Sequence, residues 1–427
     1  MSFLDSLFKD RKSQPPVCHL EAEPISIETL TELIPVRNFS QDKLRAFATE
    51  AKSDVYPEQT VLFRSGEQAD CVLYLLKGSV KLSDNGGQSY EIQAGTTQAK
   101  FPLSSGALHT TTAITNSDVA VLRVSHHILE GKHADKSKFT ELEIPENLSE
   151  NRLLQAFVHH YNSEEMEIPS LPDIAVKLRH AMQYDIGAAD AVKIIQLDPV
   201  ISAKLVEVAN CPLYVCEVPA KSCLTAVSRI GLHATRSLVI SLSIHHIFKS
   251  NSPLIKKYLD KIWRQSLYTS TLSYVLASVT KQANPEEALL AGLISDIGAV
   301  PFLNFTANLP KDYYSATDIE LILPYVKGPI GARILHDWGF SEDFVRIPIF
   351  SEDWYQSQGP ELNLTDIVVL SRLHSKIGRH EASELPAITS IPAASKLKDY
   401  SLSPEQSLKI LHEAKQQISD ALLALGN

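Results

Sequence analysis

The chain has 427 residues, 44% of them apolar and 21% charged, a balance that excludes a disordered or low-complexity protein and a length that exceeds one ordinary core. Its net charge of −10 disfavours a broad electrostatic footprint for nucleic acid or anionic lipid, so neither is expected as a partner. The five cysteines, Cys18, Cys71, Cys211, Cys216 and Cys223, contain no CxxC pair and are expected as reduced thiols rather than disulfides or metal ligands.

Met1 to Lys12 lacks a continuous apolar run and is not a secretory signal; residues 1–24 read as a leader. Ile27 to Leu33 and Gln41 to Thr49 read as short helices, the second with Ser40 as its N-cap. From Val61 to His127 the pattern turns to short strands at Val61 to Arg64, Cys71 to Lys77, Ser79 to Ser83, Ser89 to Gln93 and Val119 to Val124. Gly66, Gly78 and Gly95 separate them, and Asn85-Gly86 is a preferred pair for a tight hairpin turn. Residues 25–140 are therefore assigned to a small antiparallel β domain.

Polar, acidic residues from Lys132 to Glu150 mark a linker, assigned to 141–159, after which the apolar period becomes helical. Asp198 to Asn210 has a capping Asp198, Pro199 at the first helical position and an apolar stripe of Ile201, Leu205 and Val208. Ser222 to Gly231 follows, with Leu224, Val227 and Ile230 expected inward. Helices are predicted at Lys256 to Gln282, Pro285 to Ile294 and Ile330 to Trp338. A last helix is predicted from Ser403-Pro404, carrying Leu408, Leu411, Ile418, Leu422 and Leu425, its stripe facing its own domain. The longest apolar stretch, Leu238 to Phe248, is broken by Ser241, Ser243, His245 and His246 and is too short to cross a bilayer. A cytoplasmic location follows from this reading. Residues 160–427 are assigned to one all-α domain.

The segment Phe63-Arg64-Ser65-Gly66-Glu67-Gln68-Ala69-Asp70, then Leu75-Leu76-Lys77-Gly78-Ser79-Val80, Gly95 and Ser105-Gly106, resembles the cyclic-nucleotide-binding domain family, a β roll flanked by helices. The resemblance implies a phosphate cassette with a Glu for the ribose and an Arg for the cyclic phosphate, since a buried phosphate needs a fork of charged donors. Lys100 stands at the first position and His109 at the second. A neutral imidazole cannot reproduce a bidentate guanidinium. Lys100, Ser105, His109, Thr110 and Thr111 either grip another anion or form a solvated surface over a structural core. No helix-turn-helix follows, unlike in the related transcription factors.

Pro169-Ser170-Leu171-Pro172 with the preceding Ile168, Leu197-Asp198-Pro199-Val200-Ile201, Lys204-Leu205, Ala209-Asn210, Ala226-Val227, Ile230-Gly231-Leu232 and Leu290-Ala291-Gly292-Leu293-Ile294-Ser295-Asp296-Ile297-Gly298 resemble the HDOD family. That family consists of catalytically silent relatives of HD-domain phosphohydrolases in bacterial signalling proteins. An HD hydrolase surrounds one or two metals with neutral His and ionised Asp, to lower the pKa of a water and orient phosphate. The resemblance implies His near Gln265, a His-Asp pair at Ser295-Asp296, His near Lys327 and Ser351, and Asp near Arg372. Only Asp296 keeps a ligand type, and one carboxylate cannot hold a catalytic metal.

The adjacent pairs His126-His127, His159-His160 and His245-His246 diverge on any regular element and read as solvated or core residues. Ser266, Ser270 and Ser273 read as a close helix-packing stripe. The chain is thus expected to be an α+β two-domain protein, an antiparallel β roll followed by an all-α HD-like domain. Its expected role is non-enzymatic regulation through signalling protein partners, with no cofactor and no metal. Lys204, Glu207, Arg229 and His233 form the expected partner surface. The alternatives are a metal-dependent phosphohydrolase or phosphodiesterase with a rearranged site, and a sensor of a non-standard nucleotide or anion.

Overall fold

The structure, a computed structural model, describes residues 24–125, 140–142, 144–163, 169–182, 184, 186–211, 213–214, 218–378, 384–398, 401–403 and 406–426. The leader up to residue 23, His126-His127, Ile168, Cys18, Cys216 and Pro404 lie outside them. Two short helices, α1 (Ile27–Glu32) and α2 (Gln41–Glu50), open the fold. The hydroxyl of Ser26 accepts from the Thr29 amide and that of Ser40 from the Lys43 amide, satisfying donors that a helix start leaves unpaired.

Among the described residues seven strands follow: β1 (Ser53–Tyr56), β2 (Val61–Phe63), β3 (Val72–Lys77), β4 (Ser79–Ser83), β5 (Ser89–Gln93), β6 (Thr112–Thr115) and β7 (Val119–Val124). They form two antiparallel sheets, β1-β7-β3 and β2-β6-β4-β5. The β4–β5 hairpin pairs Ser83 with Ser89 across the Asn85-Gly86 turn, as its residues dictate. Tyr90 and Ile92 alternate inward on β5, as do Val80 and Leu82 on β4. β1 and β6 were not foreseen. Their polar Ser53, Asp54, Thr112 and Thr115 hide the alternation that buries Tyr56 and Ala113.

The helices continue as α3 (Arg152–Asn162), α4 (Asp173–Met182), α5 (Ala188–Ile195), α6 (Pro199–Ala209), α7 (Cys223–Ile230) and α8 (Leu232–Ile244). Next come α9 (Pro253–Thr280), α10 (Pro285–Ile294), α11 (Ala299–Ala307), α12 (Ala316–Asp337), α13 (Glu342–Val345) and α14 (Ile347–Phe350). The chain ends with α15 (Leu364–Gly378), α16 (Pro392–Ser395), α17 (Lys409–Glu413) and α18 (Lys415–Gly426). The fold is therefore the expected one, antiparallel sheets followed by helices. Its division is not the contiguous one expected.

One compact unit joins Met1–Lys136 to Asp353–His412, and the other joins Ser137–Glu352 to Glu413–Asn427. Residues 353–412 thus belong with the strands, tied there by the Asp84 carboxylate accepting from the Leu402 amide at 2.7 Å and by the Tyr90 and Thr389 hydroxyls. The predicted last helix is two helices. Leu408 and Leu411 are buried in the strand unit, whereas Ile418 and Ala421 of α18 are buried in the helical unit, where α18 packs on α9 and α6.

The helical core gathers Phe157, Phe302, Ile294, Leu335 and Trp338. α9 and α10 cross closely. Ser266, Ser270 and Ser273 are fully buried, and the Ser270 hydroxyl donates to the Leu289 carbonyl at 2.6 Å. A Cβ on Gly292 would stand 2.5 Å from the Ser270 Cα, so only glycine permits this crossing. Pro324 and Pro329 sit inside α12, which explains why the sequence reading recovered only its last third. Leu224, expected inward, is 47% exposed; Cys223 and Ala226 are buried beside Val227 and Ile230. Pro285–Ala307, and not Leu238 to Phe248, is the span among the described residues long and apolar enough to cross a membrane, and 89% of its most apolar window is buried inside the protein.

Candidate functional site

α10 ends at Ile294, and the short turn after it presents Asp296 towards α12. Gly298 fixes that approach: any Cβ there would collide with the Lys327 carbonyl oxygen and the Gly331 backbone. As a result the Lys327 ammonium lies 2.9 Å from the Asp296 carboxylate and 2.9 Å from the Glu352 carboxylate. Asp296 and Lys327 are largely shielded, with side chains 9% and 15% exposed, while Glu352 is 34% exposed. Of the other expected positions, Ser295 is buried and donates to the Gly292 carbonyl at 2.6 Å, Gln265 is half-buried on α9, and Ser351 is buried with no hydrogen-bond partner for its hydroxyl. Arg372 lies on α15, in the other unit.

In the strand unit, Lys100 ends a 3-10 turn, and its ammonium lies 2.9 Å from the Glu384 carboxylate. The Arg37 guanidinium reaches the other oxygen of Glu384 at 3.0 Å. The Lys100 ammonium, and after it the Arg37 guanidinium, hold the Glu384 carboxyl below its ordinary value. Ser105 donates its hydroxyl to the Ser390 carbonyl, and Thr110 donates to the Thr389 carbonyl at 2.7 Å. Gly106 abuts Ser395. His109 is turned inward: its ring stacks on Phe63 at 4.1 Å, and Nδ1 is 2.9 Å from the Ser104 hydroxyl. Thr111 is buried without a partner for its hydroxyl. Neither residue is placed to grip an external anion.

The expected partner surface divides. Lys204 pairs with Glu207 at 3.0 Å and lines, with His245, His246 and Trp263, a cleft of about 100 Å³. That is small beside the ~300–1,000 Å³ of ordinary ligand pockets. Burial, then His246 and Lys249, push the His245 imidazole down. His233 is exposed. Arg229 is not a surface residue in the sense expected: its guanidinium donates to the Ala209 carbonyl at 3.0 Å and to the Asn210 side chain at 3.1 Å, and also to the Val218 carbonyl. Asn210 in turn accepts from the Ala220 amide and donates to its carbonyl. Together Asn210 and Arg229 clasp the connection between α6 and α7.

Comparison with known proteins assigns both parts. Residues 168–353 match the HDOD domain and residues 54–134 match the cyclic nucleotide-binding domain. Among solved structures, a protein from Shewanella amazonensis SB2B, provisionally named a metal-dependent phosphohydrolase, is 23% identical over 63% of this chain and 98% of its own, with a TM-score of 0.55. A provisionally named signal transduction protein from Marinobacter aquaeolei VT8 is 16% identical over 91% of this chain and 99% of its own, with a TM-score of 0.47. A curated but uncharacterised protein of Treponema pallidum (strain Nichols) is 24% identical over 42% of this chain, and the match spans 36% of that relative's length. At 23% identity the likeness to the Shewanella protein speaks for the fold alone.

The HDOD domain residues do not fit a catalytic metal. An HD centre needs several anionic or imidazole donors, whereas the matching positions here offer an amide, two hydroxyls, an ammonium and one carboxylate already bonded to that ammonium. Among the described residues no three His, Cys, Asp or Glu side chains cluster as a metal-holding group. Three participants escaped the sequence reading, Arg37 among them. Glu352 stands one place after the aligned Ser351, so a one-residue shift in alignment would have found it. Glu384 had no local signal, lying 284 residues beyond Lys100.

Proposed function

We propose that this chain is a non-enzymatic regulatory protein that acts in the cytoplasm by docking signalling proteins. The observation that carries the reading is Lys327 between Asp296 and Glu352. The ammonium supplies the positive charge these carboxylates need, but it has no open coordination position on which water could be activated. A hydrolase built on these residues would lack both the metal and the nucleophile it generates. The net charge of −10 favours protein partners over nucleic acid or anionic membrane.

Metal analysis of the purified full chain, with turnover of a chromogenic phosphodiester in added manganese, tests the reading. The expected result is no stoichiometric transition metal and no turnover above background. Stoichiometric metal together with turnover abolished by Asp296→Ala would overturn it. For the docking surface, copurification with Lys204→Glu is compared with wild type; a folded variant that keeps the whole partner profile removes the α6 face from consideration.

A further inference from the structure

We propose that the segment beginning at Glu384 is a built-in ligand of the cyclic nucleotide-binding domain, and that Arg37 and Lys100 form a masked site for a phosphate-bearing anion. The proposal goes beyond the docking reading and stands whether or not the helical unit is catalytic.

Two cations from distant parts of the strand unit converge on one carboxylate, Arg37 at 3.0 Å and Lys100 at 2.9 Å. Lys100 is the position at which the family resemblance puts a ligand-holding side chain. The hydroxyls of Ser105 and Thr110, on the same cassette, donate to carbonyl oxygens of Ser390 and Thr389. Ile388 and Ile391 of that segment are fully buried, and Ile388–Ser390 packs on α15 and α16, so the peptide is held in place from its own side as well as by its hydrogen bonds to the cassette. The cassette therefore spends its donors on the chain's own main chain and side-chain carboxylate. A carboxylate bound by two cations imitates one edge of a phosphate, which offers the same acceptor oxygens with more charge.

The three charged side chains remain partly open to solvent, 43% for Arg37, 33% for Lys100 and 36% for Glu384. An anion can thus reach the two cations from solvent without ejecting Ile388 or Ile391. What excludes it is the charge of Glu384. A cyclic nucleotide, which would need the Ser105 and Thr110 positions as well, remains blocked by the seated peptide.

Calorimetric titration of the full chain with inorganic pyrophosphate and, separately, with cyclic AMP tests the proposal in wild type, Glu384→Gln and the double variant Glu384→Gln/Lys100→Gln. A charge-assisted contact is worth roughly tenfold or more in affinity. Pyrophosphate should bind Glu384→Gln at least about tenfold more tightly than wild type, and the added Lys100→Gln should remove that gain. Cyclic AMP should bind none of the three. Equal pyrophosphate affinity in wild type and Glu384→Gln, or a gain that survives Lys100→Gln, would overturn the masked site. Micromolar binding of cyclic AMP to wild type would overturn the built-in ligand. A matching thermal melt for each variant keeps misfolding from being read as lost binding.

Discussion

Lys327, Arg229 and Glu384 are charged side chains whose partners decide what their removal does. Lys327→Ala removes the ammonium that pairs with both Asp296 and Glu352, and losing one partner of a buried pair costs about 3–5 kcal/mol. The exposure of Glu352 puts the loss at the lower end. Urea unfolding followed in the helical unit should show the midpoint fall, and Asp296→Asn in the same background should recover part of it. Arg229→Ala strips a donor from the part-buried Ala209 carbonyl, and an orphaned polar group of this kind costs about 1 kcal/mol, so its melting temperature should drop where that of Lys204→Glu holds. Glu384 has a pH signature. Its folded pKa is depressed by Lys100 and Arg37, so its contribution is present above its ordinary value near 4.5 and is lost as pH falls through the depressed one. The melting-temperature gap between wild type and Glu384→Gln should be open at pH 6 and shrink towards zero as the solution is acidified below that range.

At the scale of elements, the α9–α10 crossing depends on having nothing at Gly292. Gly292→Ala forces a methyl to within 2.5 Å of the Ser270 Cα, and overpacking of this kind costs about 1–3 kcal/mol. Leu205→Ala should cost about 2–5 kcal/mol by leaving a cavity under α6. Thermal melts of the two variants check both, with Ser202→Ala on the half-buried side of α6 as a mild comparison. Helices with local signals were legible: Asp198 caps α6 by accepting from the Val200 and Ile201 amides, and Pro285 opens α10 where the sequence placed it. Elements lacking such signals were not. Two prolines concealed most of α12, threonines concealed β6, and α15 carried nothing in its sequence to separate it from the helices of the other unit. The candidate sites split the same way. Asp296 with Lys327 could be approached from motif spacing, whereas Glu384 at Lys100 depends on a chain return that no local pattern encodes.

For the whole molecule, the chain passes from one unit to the other three times, after Lys136, after Glu352 and after His412. A chain ending at residue 352 would keep every strand and α1 to α14, yet lose the peptide seated on the cassette and the α18 contact with α9 and α6. Such a chain should melt with a lower midpoint in both units. Calorimetric scans of the shortened and full chains would show this, and an unchanged strand-unit transition would mean that 353–412 contributes nothing to it.

The return of residues 384–403 to the strands has a consequence for biosynthesis. The last strand, β7, ends at Val124, so the ribosome makes some 280 further residues before Ser403 emerges. At ~5–20 residues per second that interval is roughly fifteen seconds to a minute. During it the strand unit lacks residues 353–412, and with them the Thr389 and Ser390 partners of Tyr90, Ser105 and Thr110, while the helical segment folds in the meantime. A nascent chain arrested before residue 384 should therefore bind a holdase chaperone through its N-terminal part, and release it once translation carries Ile391 clear of the exit tunnel.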